Sequence, residues 1–189
     1  VSLRLFVALE IPSTVRENLA GFLKPLRALS PQPRWARAEN LHVTLKFIGE
    51  VPVAKLDTIR AALATVRSDR EVTIDFRGLG FFPDEKHTRV FWAGLDASPN
   101  LKTLALHIDQ ATEKLGFPAE ARPFSPHLTL ARFQPPGLPE KLRAVMQENA
   151  ARDFGSLRTN QFHLIESKLK PSGAEYTTLE SFPFVVAEA

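Results

Sequence analysis

The chain contains no cysteine. Disulfide staples, thiolate nucleophiles and cysteine-ligated metal sites are therefore excluded, and stability has to come from an ordinary hydrophobic core. Long apolar runs are missing as well. The opening VSLRLFVALEIP has only five consecutive apolar residues before Glu10, too few for a signal-peptide core or a bilayer span, so a cytoplasmic location without membrane association is expected. Charge of one sign is also lacking: 24 basic and 21 acidic residues leave a formal net charge of +3, too balanced to indicate nucleic-acid binding by itself. No low-complexity segment or long linker occurs. At 189 residues, 44% hydrophobic and 24% charged, the chain suffices for one core that buries about 70% of the unfolded surface, so residues 1–189 read as one domain.

A short pattern is present twice, as His42-Val43-Thr44-Leu45 and His127-Leu128-Thr129-Leu130, 85 residues apart. In each copy, histidine and threonine share one face of a strand, while Val43, Leu45 and Phe47, or Leu128 and Leu130, take the other. The same offset relates Arg4-Leu5-Phe6-Val7-Ala8 to Arg89-Val90-Phe91-Trp92-Ala93, Pro33 to Pro118 and Arg37 to Arg122. This is an internal duplication. Each half reads as strand, helix, His-x-Thr strand, helix and further strand, and two such units would pack about a pseudo-twofold axis.

The elements follow from periodicity. Leu3 to Leu9 is a strand ended by Pro12, and Thr14 with Glu17 predicts a capping box for a helix carrying Val15, Leu19, Phe22, Leu23 and Leu26, bent or shortened at Pro25. Leu56, Ile59, Leu63 and Val66 mark a second helix. Alternation at Val72, Ile74 and Phe76 followed by the strand Arg89 to Leu95 predicts a hairpin. Ser98 as cap and Pro99 at the first helical position open a third helix, and a fourth runs from about Glu140 to Asn149. The stretch Phe162 to Phe184 holds two strands joined by a turn at Lys170-Pro171-Ser172-Gly173.

Two histidines on equivalent strands would face each other across the groove between the lobes. That arrangement suits displacement at phosphorus, one imidazole acting as general base and the other, protonated, as general acid. Thr44 and Thr129 would donate hydroxyl hydrogen bonds to phosphoryl oxygens, and Lys46 and Arg132 are the candidate cations. Lys46 has the parity of His42 and Thr44; Arg132 reaches the His127 face only if its strand twists or bulges there. A metal site is disfavoured, since His-x-Thr lacks the third imidazole or carboxylate that zinc or iron requires, and no cofactor is expected. His87, His107 and His163 read as surface or boundary residues, Phe91 as core, and Trp35 as either core or a base-stacking ring. Arg34, Arg37 and Arg122, in the loops entering the motifs, are either solvated or placed along an RNA backbone.

At these residues the sequence resembles the 2H phosphoesterase superfamily, named for two His-x-Thr/Ser motifs, and within it the RNA 2′,3′-cyclic phosphodiesterase branch, also called 2′-5′ RNA ligases. LRLFVALEIP, RWARAENLHVTLKFIGE, RVFWAGL, RPFSPHLTLAR and ESKLKPSGAEYTTLESFPF carry the resemblance, in order, over almost the whole chain. It implies a bilobal α+β fold with two antiparallel sheets flanked by helices around a central groove. It also implies metal-independent hydrolysis of terminal 2′,3′-cyclic phosphates to 2′-phosphates, with His127 as proton acceptor, His42 as proton donor, and Thr44, Thr129 and Arg132 holding the phosphate. RNA ends, including transfer-RNA fragments, or small cyclic nucleotides are the implied substrates of a monomeric enzyme. Joining of RNA ends through a 2′-5′ linkage in the same site, and binding of RNA ends without turnover, are the alternatives.

Overall fold

Strand alternation in the sequence becomes two antiparallel sheets. The computed structural model describes residues 1–185. In order, the chain forms β1 (Ser2–Glu10), α1 (Ser13–Leu29), β2 (Arg34–Trp35), β3 (His42–Pro52), α2 (Leu56–Leu63), β4 (Val72–Phe82), β5 (Val90–Ala97), α3 (Asn100–Glu113), β6 (His127–Arg132), α4 (Glu140–Glu148), β7 (Asp153–Thr159), β8 (Gln161–Lys170) and β9 (Gly173–Pro183). One sheet has the order β3-β1-β8-β9 and the other β2-β6-β5-β4-β7. The first His-x-Thr motif opens β3 and the second opens β6.

The two halves of the sequence interlock. Helix α1 follows a strand of the four-stranded sheet, yet packs on β7 of the other: Asn18 Nδ2 donates to the Phe154 carbonyl at 3.0 Å, and the Phe22 and Phe154 rings meet at 5.4 Å. Helix α3, flanked in sequence by β5 and β6, packs instead on β3 and α2. Strand β2, also from the first half, pairs with β6. Each sheet is therefore covered by a helix from the opposite half, and one contiguous core runs through both. A lobe would leave an apolar face bare without its partner's helix, which couples the two sheets energetically.

Local details depart from expectation where tertiary contacts compete. No side chain caps α1, which starts directly after Pro12, and the helix continues past Pro25 to Leu29. Its apolar residues Val15, Leu19, Phe22, Leu23 and Leu26 are all buried, so packing rather than a capping box holds it. Ser98 does not cap α3; its hydroxyl accepts the Thr73 backbone N–H at 3.0 Å. The short strand β7 lies outside the elements that periodicity predicts, and it supplies Phe154 to the core. At Gly80 an added Cβ would lie 2.1 Å from the Trp92 ring, so the missing side chain is what lets that indole lie against β4.

Candidate active site

In each motif strand the residue after the threonine is an extra one, and β3 has a second at Ile48. Thr44 pairs with Ala8 and Lys46 with Val7, leaving Leu45 as the bulge; Thr129 pairs with Trp92 and Ala131 with Phe91, leaving Leu130. The bulges are themselves 85 residues apart. Each inverts the side-chain parity that follows it, because alternation resumes one residue late. Arg132 is thereby returned to the exposed face shared by His127 and Thr129, as its assignment required.

The same shift corrects two expectations in the first lobe. Phe47, expected opposite His42, emerges on the exposed side, and Lys46 turns inward to become buried. The Lys46 ammonium lies 2.5 Å from Asp109 Oδ1 and donates to the Pro118 carbonyl at 2.6 Å, so its charge is neutralised rather than offered to a ligand. Asp109 also accepts the Glu120 backbone N–H at 3.2 Å. Lys46 and Asp109 together tie β3 to α3 and to the loop that leads into β6. Lys46 thus serves as a structural tie while it lines the groove.

Both histidines are oriented in the same way. His42 Nδ1 donates to the Asn40 carbonyl at 3.1 Å and His127 Nδ1 donates to the Ser125 carbonyl at 2.9 Å, each two residues upstream. Pinning Nδ1–H leaves Nε2 as the nitrogen available for proton transfer. Asn40 and Ser125 also obey the 85-residue offset, the signal by which the sequence could have identified them.

The surroundings of the two rings differ. His42 sits between Phe6, at 6.1 Å, and Tyr176, at 5.7 Å, both edge-on. Burial pushes its pKa below the ordinary 6.5, opposed by the hydrogen bond to Asn40. Asn40 further donates its side-chain amide to the Ala174 carbonyl at 2.8 Å, fastening the β8–β9 hairpin that carries Tyr176. His127 meets Phe82 at 5.3 Å and Trp92 at 6.5 Å. Neither Tyr176 nor Asp109 had a sequence signal. His163, read as a surface or boundary residue, is buried and bonded to Ser181 Oγ at 2.8 Å; burial lowers its pKa too.

A groove of about 1200 Å³ between the sheets is lined by His42, Thr44, His127, Thr129 and Arg132 together. Arg37, Lys102 and Arg122 also line it, and among the described residues their side chains and that of Arg132 make no ion pair. The acidic side chains on the lining are Glu120 and the Lys46-bound Asp109. The chain's small positive excess is thus concentrated at one place, which favours an anion. Trp35 lies on the lining with its indole N–H donated to Ser30 at 2.7 Å and its ring edge-on to the buried Phe91. Arg34 stands opposite Arg132 in the β2–β6 pair.

Two antiparallel sheets with helices packed on them define a fold that known structures share. The chain superposes on the crystal structure of TT0787 of Thermus thermophilus with a TM-score of 0.78, at 30% identity and covering 96% of this chain and 98% of that one. It superposes on E. coli LigT complexed with 3′-AMP with a TM-score of 0.76, at 26% identity and covering 97% and 99%. The chain belongs to the 2′-5′ RNA ligase superfamily, whose profile matches residues 15–170. It is 32% identical to the RNA 2′,3′-cyclic phosphodiesterase of Methanothermobacter thermautotrophicus, over 96% of this chain and 99% of that one, and 34% identical to that of Archaeoglobus fulgidus, over 95% and 99%.

Proposed function

We propose that the chain is an RNA 2′,3′-cyclic phosphodiesterase that hydrolyses terminal 2′,3′-cyclic phosphates to 2′-phosphates. The observation that carries this reading is the matched pair of imidazoles in one groove, each with Nδ1–H held by the carbonyl two residues upstream. Water attacks phosphorus opposite O3′ as His127 Nε2 takes its proton. The P–O3′ bond breaks, its electron pair stays on O3′, and His42 Nε2–H protonates that oxygen. The products are a 2′-phosphate and a free 3′ hydroxyl. Thr44, Thr129 and Arg132 hold the phosphoryl oxygens and offset the charge that accumulates on them.

Because Nδ1–H is already committed, His42 can carry a proton on Nε2 only as imidazolium. Burial opposes that charge and the negative phosphodiester favours it, so substrate binding itself loads the acid. Replacing water by a 5′ hydroxyl on the same side of phosphorus would instead join two RNA ends through a 2′-5′ linkage. Within this reading the chain acts as a cytoplasmic monomer on transfer-RNA fragments, other RNA ends or small cyclic nucleotides, with Arg37 and Arg122 contacting flanking phosphates.

The test is incubation of a short RNA ending in a 2′,3′-cyclic phosphate with the protein in EDTA. A 2′-phosphate end is the expected product. An RNA that is bound but left intact would replace the hydrolase with an RNA-end binder.

A further inference from the structure

The two motif histidines have different residues opposite them on the neighbouring strands. Across from His42, β1 places Glu10; across from His127, β5 places Gly94. Directly opposite residues leave an antiparallel sheet on the same face with Cβ atoms about 5 Å apart, so the Glu10 side chain starts beside the His42 imidazole. The glycine admits no such neighbour. A Cβ added at Gly94 would lie 2.5 Å from the Arg77 carbonyl oxygen, which keeps side chains out of the place that corresponds to Glu10. Asp96, the next residue on that face of β5, has Asp75 opposite it, and both carboxylates act on Arg77. A duplication that repeats histidine and threonine thus gives only one of the two imidazoles an acid as its strand partner.

Glu10 is held on this face. Its Oε1 accepts the Thr178 hydroxyl at 3.3 Å, a bond that reaches over β8 to β9. On β8, the buried His163 stands opposite Ala8, which shares the face of Glu10. Among the described residues neither ring is hydrogen-bonded to the carboxylate: His42 Nδ1 is taken by Asn40 and His163 Nδ1 by Ser181, so Glu10 acts through space. The groups around His42 are few. Burial lowers its pKa and the Asn40 hydrogen bond opposes this; of the charges, Arg16 on α1 and His163 on β8 lower it, and Glu10 on β1 raises it. Arg16 is itself committed to the carbonyls of Ala38 and Ile11 at 2.7 and 3.4 Å, and Tyr176 on β9 is the remaining titratable side chain against the ring. With Nδ1–H committed, an acid that carries its proton on Nε2 is a cation, and Glu10 is the carboxylate placed to offset it.

We propose that Glu10 is a positioning residue for the acid: its carboxylate favours the cationic, proton-bearing form of His42, while Gly94 leaves His127 without such a partner and free to serve as the base. The inference rests on the reading of the groove as a cyclic-phosphodiesterase site with His42 as proton donor, and it names what in the fold tells the two imidazoles apart. The one-residue offset between the β1–β3 and β5–β6 pairings is its structural origin, since a carboxylate stands across from one histidine and bare backbone across from the other.

The experiment uses Glu10→Gln, which removes the charge and keeps an oxygen for Thr178. Histidine NMR titration of the protein without substrate is expected to show the His42 pKa lower in the variant than in the native protein, with His127 unmoved. The pH dependence of kcat/KM for adenosine 2′,3′-cyclic phosphate is the second readout. Above the His42 pKa the variant holds the acid's proton less often, and kcat/KM falls about two- to fivefold, the range of an exposed ion pair. Well below that pKa His42 is protonated in both proteins, and the two curves converge. Glu10→Asp, which keeps the charge, recovers most of the loss. A loss of equal size at every pH would make Glu10 a support for the fold, and a His42 titration that does not move, or a His127 titration that moves as far, would remove the asymmetry; each overturns the proposal. If the native protein leaves the cyclic phosphate intact while the His42 titration still follows Glu10, the hydrolase reading fails and the pairing of Glu10 with His42 stands.

Discussion

Lys46 Nζ and Asp109 Oδ1 lie 2.5 Å apart, joining the first motif strand to the helix whose following loop delivers the second motif. Removing one partner strands a buried charge, which typically costs about 3–5 kcal/mol, whereas replacing both with apolar groups is often close to neutral. Lys46→Met is therefore expected to destabilise strongly, and Lys46→Met combined with Asp109→Leu to recover most of the loss. Urea denaturation of the two single variants and the double variant checks this. A double variant no more stable than Lys46→Met would show that the pair is not a closed unit.

His42→Ala and His127→Ala are each expected to lower turnover by about 10²- to 10⁴-fold, the usual contribution of a general acid or base. The fold should survive, because each ring gives up only one hydrogen bond to a backbone carbonyl. Turnover on a cyclic-phosphate RNA, with circular dichroism as the folding control, decides the matter. Losses below tenfold in both variants would remove the imidazoles from the chemistry.

Arg132→Ala is expected to reduce kcat/KM by tenfold to about a hundredfold, corresponding to loss of a charge-assisted hydrogen bond of about 1.5–3 kcal/mol. Arg132→Lys should recover only part, because an ammonium cannot reproduce the planar fork. An unchanged kcat/KM in Arg132→Ala would place the phosphate elsewhere.

Burial holds the pKa of both His42 and His163 below the ordinary 6.5. The unfolded chain then binds more protons than the folded one as pH drops below 6.5, so stability is greatest above that value and falls as pH descends through the folded pKa values. Opening the site with Tyr176→Ala should let water reach His42 and raise its pKa toward 6.5. Histidine NMR titration reads the shift directly. A His42 resonance that titrates identically in the native protein and in Tyr176→Ala would show that this ring does not desolvate it.

Much of the fold and site was legible because it depends on local periodicity. Alternation located the motif strands, helical spacing chose the buried faces of α1, α2 and α3, and the 85-residue offset paired His42 with His127 and Thr44 with Thr129. The offset did not fix register everywhere. Phe91, the sequence match of Phe6, faces the core, whereas Phe6 lies beside His42, because β1 pairs Glu10 with His42 and β5 pairs Gly94 with His127, one residue out of step with the duplication.

What the sequence by itself determined is most of the elements and the pairing of the two motif copies, since both follow from residue type and spacing along the chain. Tertiary structure alone decided which sheet each helix covers, because an apolar face does not specify its partner. It also decided the fate of Lys46, Phe47 and Arg132. One unpaired leucine in each motif strand inverts the residues that follow it, in β3 as far as a second unpaired residue at Ile48, and only pairing with β1 and β5 shows where that leucine lies. The enclosure of His42 by Tyr176, distant in sequence and joined through Asn40, likewise exists only once the β8–β9 hairpin has folded over the groove.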